Sequence, residues 1–270
     1  MRSGDLSIII PSSLTSESKD QRIKTYKVGQ IARAASIFRV DRIIVYKDPE
    51  YDDSKFIDLV LRYAETPQYL RKHLFPLMDE LKYVGVIPPL RTPHHPSRSS
   101  PEVGEYREGV VVGSDEGAWV DIGTEGPVPL RADRTVRKGE RVTVRIFSRR
   151  PLQAELWDRR QIPQYWGYQT EISGTLGETL KAQPLVIATS RKGSIVDERL
   201  LAQLQKAMKE SVSVVFGSPT RGIGDILHEE GCTLSDLADY VINTIPNQGT
   251  ATVRTEEAVF ATLSILNLVR

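Results

Sequence analysis

Asp239 to Thr255 reads DYVINTIPNQGTATVRT. It starts as a short apolar run of strand type, Tyr240-Val241-Ile242, and passes into Asn243, Pro246, Asn247 and Gly249, which favour turns over regular structure. Just beyond it, Thr255 is placed to cap a helix whose first turn carries Glu256 and Glu257 and whose Val259, Phe260, Leu263 and Leu266 recur at helical spacing. A loop between the carboxyl end of a strand and the amino end of a helix is where open α/β sheets bind ligands. Taken alone, the Gly/Pro/Asn run is equally an ordinary connection.

Two neighbouring stretches argue for more. Val212 to Phe216 is a β-branched run that ends in Gly217-Ser218-Pro219-Thr220-Arg221-Gly222-Ile223-Gly224-Asp225, and Leu185-Val186-Ile187-Ala188 ends in Thr189-Ser190-Arg191-Lys192-Gly193. Three strand ends with small, polar, glycine-bearing loops in one segment point to a composite pocket. A phosphate loop is the rival for Gly217 to Asp225, but that pattern needs a lysine directly after its second glycine, and Ile223 follows Gly222. No G-x-G-x-x-G follows the first strand, which argues against a dinucleotide fold.

The chain has 270 residues, 40% of them hydrophobic and 26% charged, as expected of a globular protein with one large or two modest domains. A formal charge of +1 argues against a strongly basic nucleic-acid coat protein, so local charge matters more than the total. No apolar run approaches the roughly 18 residues that span a bilayer, and the first strand is too short for a secretory signal, so a cytoplasmic protein without membrane association is expected. Cys232 is the single cysteine, which excludes an internal disulfide and a thiolate metal cluster.

Leu6 to Ile10 is an apolar strand closed by Pro11-Ser12-Ser13, and Lys19 to Phe38 reads as a helix with Ile23, Tyr26, Ile31, Ala34 and Phe38 as its buried stripe. Basic residues concentrate there: Lys19, Arg22, Lys24, Lys27, Arg33, Arg39 and Arg42 against Asp20 and Asp41. A solvated helix face and a phosphate-binding face explain this run equally well. Arg42 to Tyr46 is a second strand, Phe56 to Ala64 a helix, and Gln68 to Val84 a helical stretch interrupted by Pro76. Strand, helix, strand, helix implies a parallel sheet. Arg91 to Pro101, RTPHHPSRSSP, reads as a linker, with His94 and His95 as solvated residues rather than metal ligands.

After Pro101 the pattern changes. Glu108–Gly113, Ala118–Gly123, Pro127–Leu130, Arg141–Phe147 and Gln153–Trp157 are five short strands without a helical period, the first two joined by a turn at Ser114-Asp115-Glu116-Gly117. A small barrel of OB-fold type is the expectation. Trp119 and Phe147 are candidate stacking groups or core residues, the core being the expectation for Phe147, and Arg131, Arg134, Arg137, Lys138, Arg141, Arg145, Arg149 and Arg150 supply positive charge for RNA. The organisation expected is a discontinuous α/β domain, residues 1–90 and 165–270, with residues 91–164 inserted as a barrel.

The runs ATSRKG at 188–193, VVFGSPTRGIGDIL at 214–227 and INTIPNQGTATVRTEEAVFATLSIL at 242–266 resemble the carboxyl half of the SPOUT RNA methyltransferases, whose cofactor site is a trefoil-knotted set of three loops. With IIIPSSL at 8–14, TYKVGQIARAASIFRVDRIIVY at 25–46 and the β-rich insertion, the chain resembles the archaeal and eukaryotic branch linked to uridine-N3 methylation. The resemblance implies an α/β knot with an inserted barrel and S-adenosylmethionine as cofactor, S-adenosylhomocysteine being the product. It assigns the cofactor pocket to Thr189, Phe216, Gly217, Ser218, Pro219, Ile242, Ile245, Pro246, Gly249, Thr250 and Ala251, with Ile242, Ile245 and Pro246 flanking adenine. It implies structured or ribosomal RNA as partner and a homodimer through the knotted domain, with the terminal helix at its interface and no metal. Arg22 and Arg33 are its candidates for substrate contact. Arg254 is a third, or else a salt-bridge partner of Glu256 or Glu257. Glu257 is a weak candidate for proton acceptor. The competing reading is a noncatalytic RNA-binding or ribosome-assembly protein that keeps the knot as a scaffold.

Overall fold

The computed structural model describes residues 4–113 and 117–270. Along the chain run β1 (Leu6–Pro11), α1 (Gln21–Ile37), β2 (Arg42–Tyr46), α2 (Ser54–Glu65), α3 (Gln68–Leu74), β3 (Tyr106–Gly113), β4 (Trp119–Asp121), β5 (Val128–Arg131), β6 (Arg141–Arg149) and β7 (Leu152–Leu156). They continue with β8 (Gln169–Ile172), α4 (Leu176–Lys181), β9 (Val186–Ile195), α5 (Glu198–Ala207), β10 (Val212–Val215), α6 (Ile223–Glu229), α7 (Leu234–Leu237), β11 (Tyr240–Asn243) and α8 (Thr255–Leu266). The hairpin turn read at Ser114 to Gly117 lies, apart from Gly117, outside the described residues. No helix among the described residues is long and apolar enough to cross a membrane.

Two compact units emerge. One comprises the chain up to Ala64, Glu80–Pro89 and Tyr168–Arg270; the other comprises Glu65–Asp79 and Leu90–Gly167. The first is a six-stranded sheet in the order β11-β9-β10-β1-β2-β8 with every pairing parallel. Its central strands are β-branched and buried on both faces, as a parallel sheet between helices requires. On one face Ile9, Ile44, Val186 and Val215 pack with Leu176 and Leu180 of α4 and Ile226 and Leu227 of α6. Their alternates Ile8, Ile10, Ile43 and Val45 turn to the opposite face and are equally buried. Each such side chain contributes about 1.5–3 kcal/mol by leaving water.

The edge strand β8, beside β2, was not read from the sequence: QTEI has little apolar content, and all four residues are at least partly exposed. Helix α1 also differs from expectation. Ile31 and Ala34 are buried, but Ile23 and Tyr26, expected in the same stripe, are 48% and 49% exposed, and Phe38 is half-buried. The buried face runs instead through Thr25, Val28, Gly29, Ala32 and Ala35. Small residues let the helix come close: a Cβ on Gly29 would stand 3.2 Å from Ile87 Cγ1.

The second unit holds a closed barrel in the order β3-β4-β5-β7-β6, with β5 and β7 parallel and the other pairings antiparallel. Val111, Val120, Val128, Leu130, Val144, Ile146 and Ala154 fill it. Glu65–Asp79, expected with the α/β half, groups with the barrel through its own side chains. Tyr69 donates to Glu108 O at 2.7 Å, His73 Nε2 meets Asp121 Oδ2 at 2.8 Å, and the Tyr69 ring occupies the place of a Cβ on Gly123, whose φ is +76°.

A buried ionic network joins these segments. Arg141 grips Glu65 with two nitrogens, at 2.7 and 3.2 Å, and Glu108 at 2.7 Å; Arg159 approaches Glu65 at 3.4 Å. Glu108 also accepts from Thr143 Oγ1 at 2.7 Å and Trp166 Nε1 at 2.6 Å. His94 and His95, expected as solvated linker residues, are here too. His94 is 0% exposed, and both rings bond Glu65 O, at 2.9 and 2.7 Å. The backbone carbonyl at the end of α2 has no helical partner, and the two imidazoles satisfy it.

Burial would raise the Glu65 carboxyl, but Arg141, His94 and Arg159 overcome it and hold the group well below the usual carboxylate range. Burial and the neighbouring His94 push His95 down to about 4. Both shifts make the unfolded chain bind more protons than the folded one in acid. Stability is therefore lost as pH falls below the ordinary histidine value of about 6.5, and further through the ordinary carboxylate range near 4.5. We expect Glu65→Ala to destabilise the barrel unit by about 3–5 kcal/mol, because Arg141 and Arg159 lose the buried carboxylate they share and Arg141 keeps only Glu108. Denaturant melts at pH 7 measure this, and repeating them between pH 4 and 6.5 with His95→Gln should show a flatter pH dependence than the parent.

Candidate functional site

The site begins with a register jump. β11 pairs with β9 at Tyr240↔Ile187 and Val241↔Ala188, then resumes at Ile242↔Ser194 and Asn243↔Ile195. One step along β11 is matched by six along β9, so residues 189–193 leave the ladder as a loop and then return to it. The return is tight: a Cβ on Gly193 would lie 2.6 Å from the Ile242 backbone carbon. Thr189 Oγ1 anchors the loop's start by donating to Val215 O at 2.9 Å.

The second loop leaves β10 at Phe216, whose N–H bonds Ile9 O at 3.0 Å and whose carbonyl accepts from Tyr46 Oη at 3.2 Å. Burial raises the Tyr46 phenol, which keeps it a donor. At Gly217 the chain folds back so closely that a Cβ would stand 2.9 Å from Arg221 O. Ser218 Oγ accepts from Arg221 N at 2.9 Å, closing the turn. The Arg221 guanidinium then ties the loop to the segment after β2 through Asp48 and Glu50, and to the end of α6 through Glu229. Asp48 is itself buried and accepts from Ser13 Oγ at 2.6 Å. Sequence reasoning passed over Arg221 and Asp48; Asp48 is distant in sequence, and only the parallel sheet brings it to this loop.

The third loop, after β11, opens with an Asx turn in which Ile245 N donates to Asn243 Oδ1 at 3.0 Å. Asn243 Nδ2 donates to Arg191 O at 3.0 Å, and Arg191 Nη1 reaches across to Ala251 O at 2.9 Å. The first and third loops are thus tied twice. Thr255 does not cap α8 as expected. Arg254 is the N-cap, and Thr255 Oγ1 donates to Gly217 O at 3.2 Å, joining the third loop to the second.

Between the loops lies a pocket of about 490 Å³. Of the residues expected to hold a cofactor, Thr189, Phe216, Gly217, Ser218, Pro219, Ile242 and Ile245 line it. Pro246, Gly249, Thr250 and Ala251 are exposed and outside the lining, which takes Gln248, Thr252 and Val253 from the same loop instead. Ser190, Arg191 and Lys192, quoted in the first loop but not singled out, also line the pocket. Phe216 and Ile242 are buried, and with half-buried Ile245 they form apolar wall, while glycine and carbonyls expose backbone. A volume in the range of small-molecule sites, apolar walls and a few convergent polar groups make this a binding pocket.

The basic candidates are dispersed. Arg22 is exposed on the first turn of α1, and Arg33, three turns on, donates from Nη1 to Pro89 O at 3.1 Å. Lys24 and Lys27, counted in the same basic run, turn inward: Lys24 pairs with Asp53 at 2.8 Å and Lys27 with Glu17 at 2.6 Å. Arg254 is exposed. Glu256 faces Lys27 at 3.9 Å, and Glu257 Oε2 accepts from the Arg254 backbone N–H at 3.0 Å. Glu257 is therefore occupied in capping the helix.

Comparison with known proteins shows what the chain is similar to. The family model described as "Putative RNA methyltransferase" matches residues 5–266. An uncharacterized protein of Haloarcula marismortui is 42% identical, over 97% of this chain and 98% of its own length. The human 28S rRNA (uridine-N(3))-methyltransferase is 32% identical, over 97% of this chain and 77% of its own. A crystal structure of the SpoU methyltransferase AviRb from Streptomyces viridochromogenes, in complex with AdoMet, aligns over 99% of this chain and 58% of that one at 11% identity and a TM-score of 0.41. Because the family model spans almost the whole chain and relatives over 30% identical cover nearly all of it, the chain belongs to this RNA methyltransferase family.

Proposed function

We propose that this chain is an S-adenosylmethionine-dependent RNA methyltransferase whose target is N3 of a uridine in ribosomal RNA. The observation that carries the reading is the three-loop pocket, closed by backbone contacts where a Cβ would clash and walled by Phe216, Ile242 and Ile245. Such a cradle fits a nucleoside joined to an amino acid. Apolar side chains take a flat base, and exposed amides and carbonyls take the edges of the base and the ribose. Thr189, Gly217, Ser218 and Pro219 would hold the ligand from two loops, and Ile242 and Ile245 would flank its base from the third. The bound cofactor supplies an electrophilic methyl group and leaves as S-adenosylhomocysteine.

The protein's own part is orientation. Its three tied loops fix where the acceptor nitrogen must stand, and ordering of that kind lowers the barrier without a covalent step. N3 lies on the pairing edge of uracil, so the target base has to be unpaired or flipped out. Arg22 and Arg254, both exposed, are suited to phosphate or base contact, while Arg33 helps hold the residue 84–89 segment through Pro89 O. We assign the barrel to the OB type on its 1-2-3-5-4 strand order and give it RNA gripping. We also assign the sheet unit to the knotted class, the dimer to the exposed apolar residues Ile23, Tyr26 and Ile37 of α1 beside α8, and the protein to the cytoplasm. Of the apolar residues of α8 expected at that interface, Val259, Leu263 and Leu266 are buried in the chain's own core, and Ile265 is half-buried.

Calorimetric titration with S-adenosylmethionine is the first test. Micromolar binding is expected, and no measurable heat with folded protein would turn us to the noncatalytic scaffold. Gly193→Ala should weaken that binding tenfold or more and lower stability by about 1–3 kcal/mol, because the added methyl has only backbone to push against. Gly249→Ala should bind normally, since a Cβ there meets nothing within 4 Å. For the acceptor, nucleoside mass spectrometry of ribosomal RNA from cells lacking the protein should show loss of one 3-methyluridine. Arg22→Glu should reduce RNA affinity more than Lys206→Glu on the exposed face of α5.

A further inference from the structure

We propose that the outer face of β4, β5 and β7, ending at the β6 bulge, is a stacking platform for single-stranded RNA, with Trp119 and Phe147 as its two ends. This rests on the reading that the chain acts on RNA, and it names which surface takes an unpaired segment.

Register places these residues in one row. Trp119 stands opposite Pro129. Leu130 stands opposite Ala154 in the parallel β5–β7 pair, which sets Pro129 beside Gln153, and Gln153 stands opposite Ser148. Between Ile146 and Ser148 the register slips, so Phe147 is the extra residue of a bulge and its ring is turned outward. Three interstrand steps span about 14 Å, the length of a short oligonucleotide run laid across the strands. The alternates Val120, Val128, Leu130, Ile146 and Ala154 all point into the barrel, so the row cannot be core.

What the row lacks is a cover. Trp119 is 42% exposed and Phe147 37%, and neither has a ring partner among the described residues. Gly113 lies across from Trp119, with a Cβ there coming no closer than 3.9 Å to the tryptophan, so the paired residue of β3 offers no side chain to shield that side. Other outward aromatics of the barrel are satisfied internally: Tyr106 packs on Trp157 at 5.8 Å, and Arg145 lies over Trp157 at 5.1 Å while pairing with Glu155 at 3.7 Å. Trp166 is buried on Glu108. Charge follows the same division. Arg134, Arg141 and Arg145 are consumed by Glu140, Glu65 with Glu108, and Glu155. Exposed Arg131, Arg149 and Arg150, which flank the row, have no carboxylate within 4.0 Å among the described residues. Two open rings with exposed guanidinium groups flanking their row match bases that stack and phosphates that need countercharge. A protein ligand would need apolar burial along the row, and Gln153 in its middle and Ser148 beside Phe147 do not offer it.

The test is titration of the full-length protein with a fluorescein-labelled 12-mer of oligouridylate, followed by anisotropy and by quenching of tryptophan emission. Trp119→Ala should weaken binding at least fivefold and abolish most of the quenching, and Trp119→Phe should restore affinity. Phe147→Ala should weaken it by a smaller factor. S-adenosylmethionine affinity, measured on the same variants, should not move. Equal affinity of Trp119→Ala and parent, with an unchanged melting temperature, would overturn the platform while leaving the methyltransferase reading intact. Loss of cofactor binding in the parent would remove that reading and leave the platform standing on its own titration. Tighter binding of a duplex of the same length, insensitive to Trp119→Ala, would also overturn it.

Discussion

The sheet unit is constrained by one approach of backbone to backbone. At Gly193 the first loop returns to the ladder against Ile242, with 2.6 Å left where a Cβ would be. That contact forces residues 189–193 out of the sheet while β11 runs straight on, and the space they vacate becomes the pocket's wall. Gly217 repeats the device in the second loop, where the chain doubles back on Arg221 O. A site made this way presents main-chain groups at fixed positions, and it depends less on which side chains surround it than on where side chains are missing.

Side chains then keep the loops from drifting. Arg191 to Ala251, Asn243 to Arg191 and Thr255 to Gly217 tie the three loops in pairs, and Arg221 fixes the middle loop to buried Asp48. The two arginine contacts among them are charge-assisted, and such bonds are stronger than neutral ones where water is partly excluded. In the barrel unit the same logic operates under deeper burial. Glu65 is surrounded by Arg141, Arg159 and two imidazoles, and the network gains its stability by leaving no charge unpaired, not by the attraction of any one pair.

What the sequence disclosed and what it hid follow from range. The loop-bearing strand ends were legible because turn residues and β-branched runs act locally, and so were the five barrel strands. Helix α1 was misjudged since apolar periodicity counts Ile23 and Tyr26 as core, whereas close packing against Ile87 favours the face with Gly29 and Ala32. His94 and His95 looked like linker because their partner, Glu65, is remote in sequence and contributes a backbone oxygen. Thr255 was taken as a cap for the same reason: its acceptor, Gly217 O, lies in another loop. Strand β8 offered no pattern at all, being an edge whose place is set by β2.

A near-neutral total charge argues only against a strongly basic coat protein, and the structure shows why local charge matters more than the total. Lys24, Lys27, Arg107, Arg141 and Arg221 neutralise carboxylates inside the fold, so neither they nor their partners contribute field at the surface. Many cations remain exposed, among them Arg22 and Arg254 on the sheet unit and Arg131, Arg149 and Arg150 on the barrel. Contacts between such cations and phosphates add affinity that falls with salt and does not distinguish one base from another. Selectivity for an unpaired base must then come from surfaces that a duplex cannot reach: the apolar walls of a backbone-built pocket and open aromatic rings.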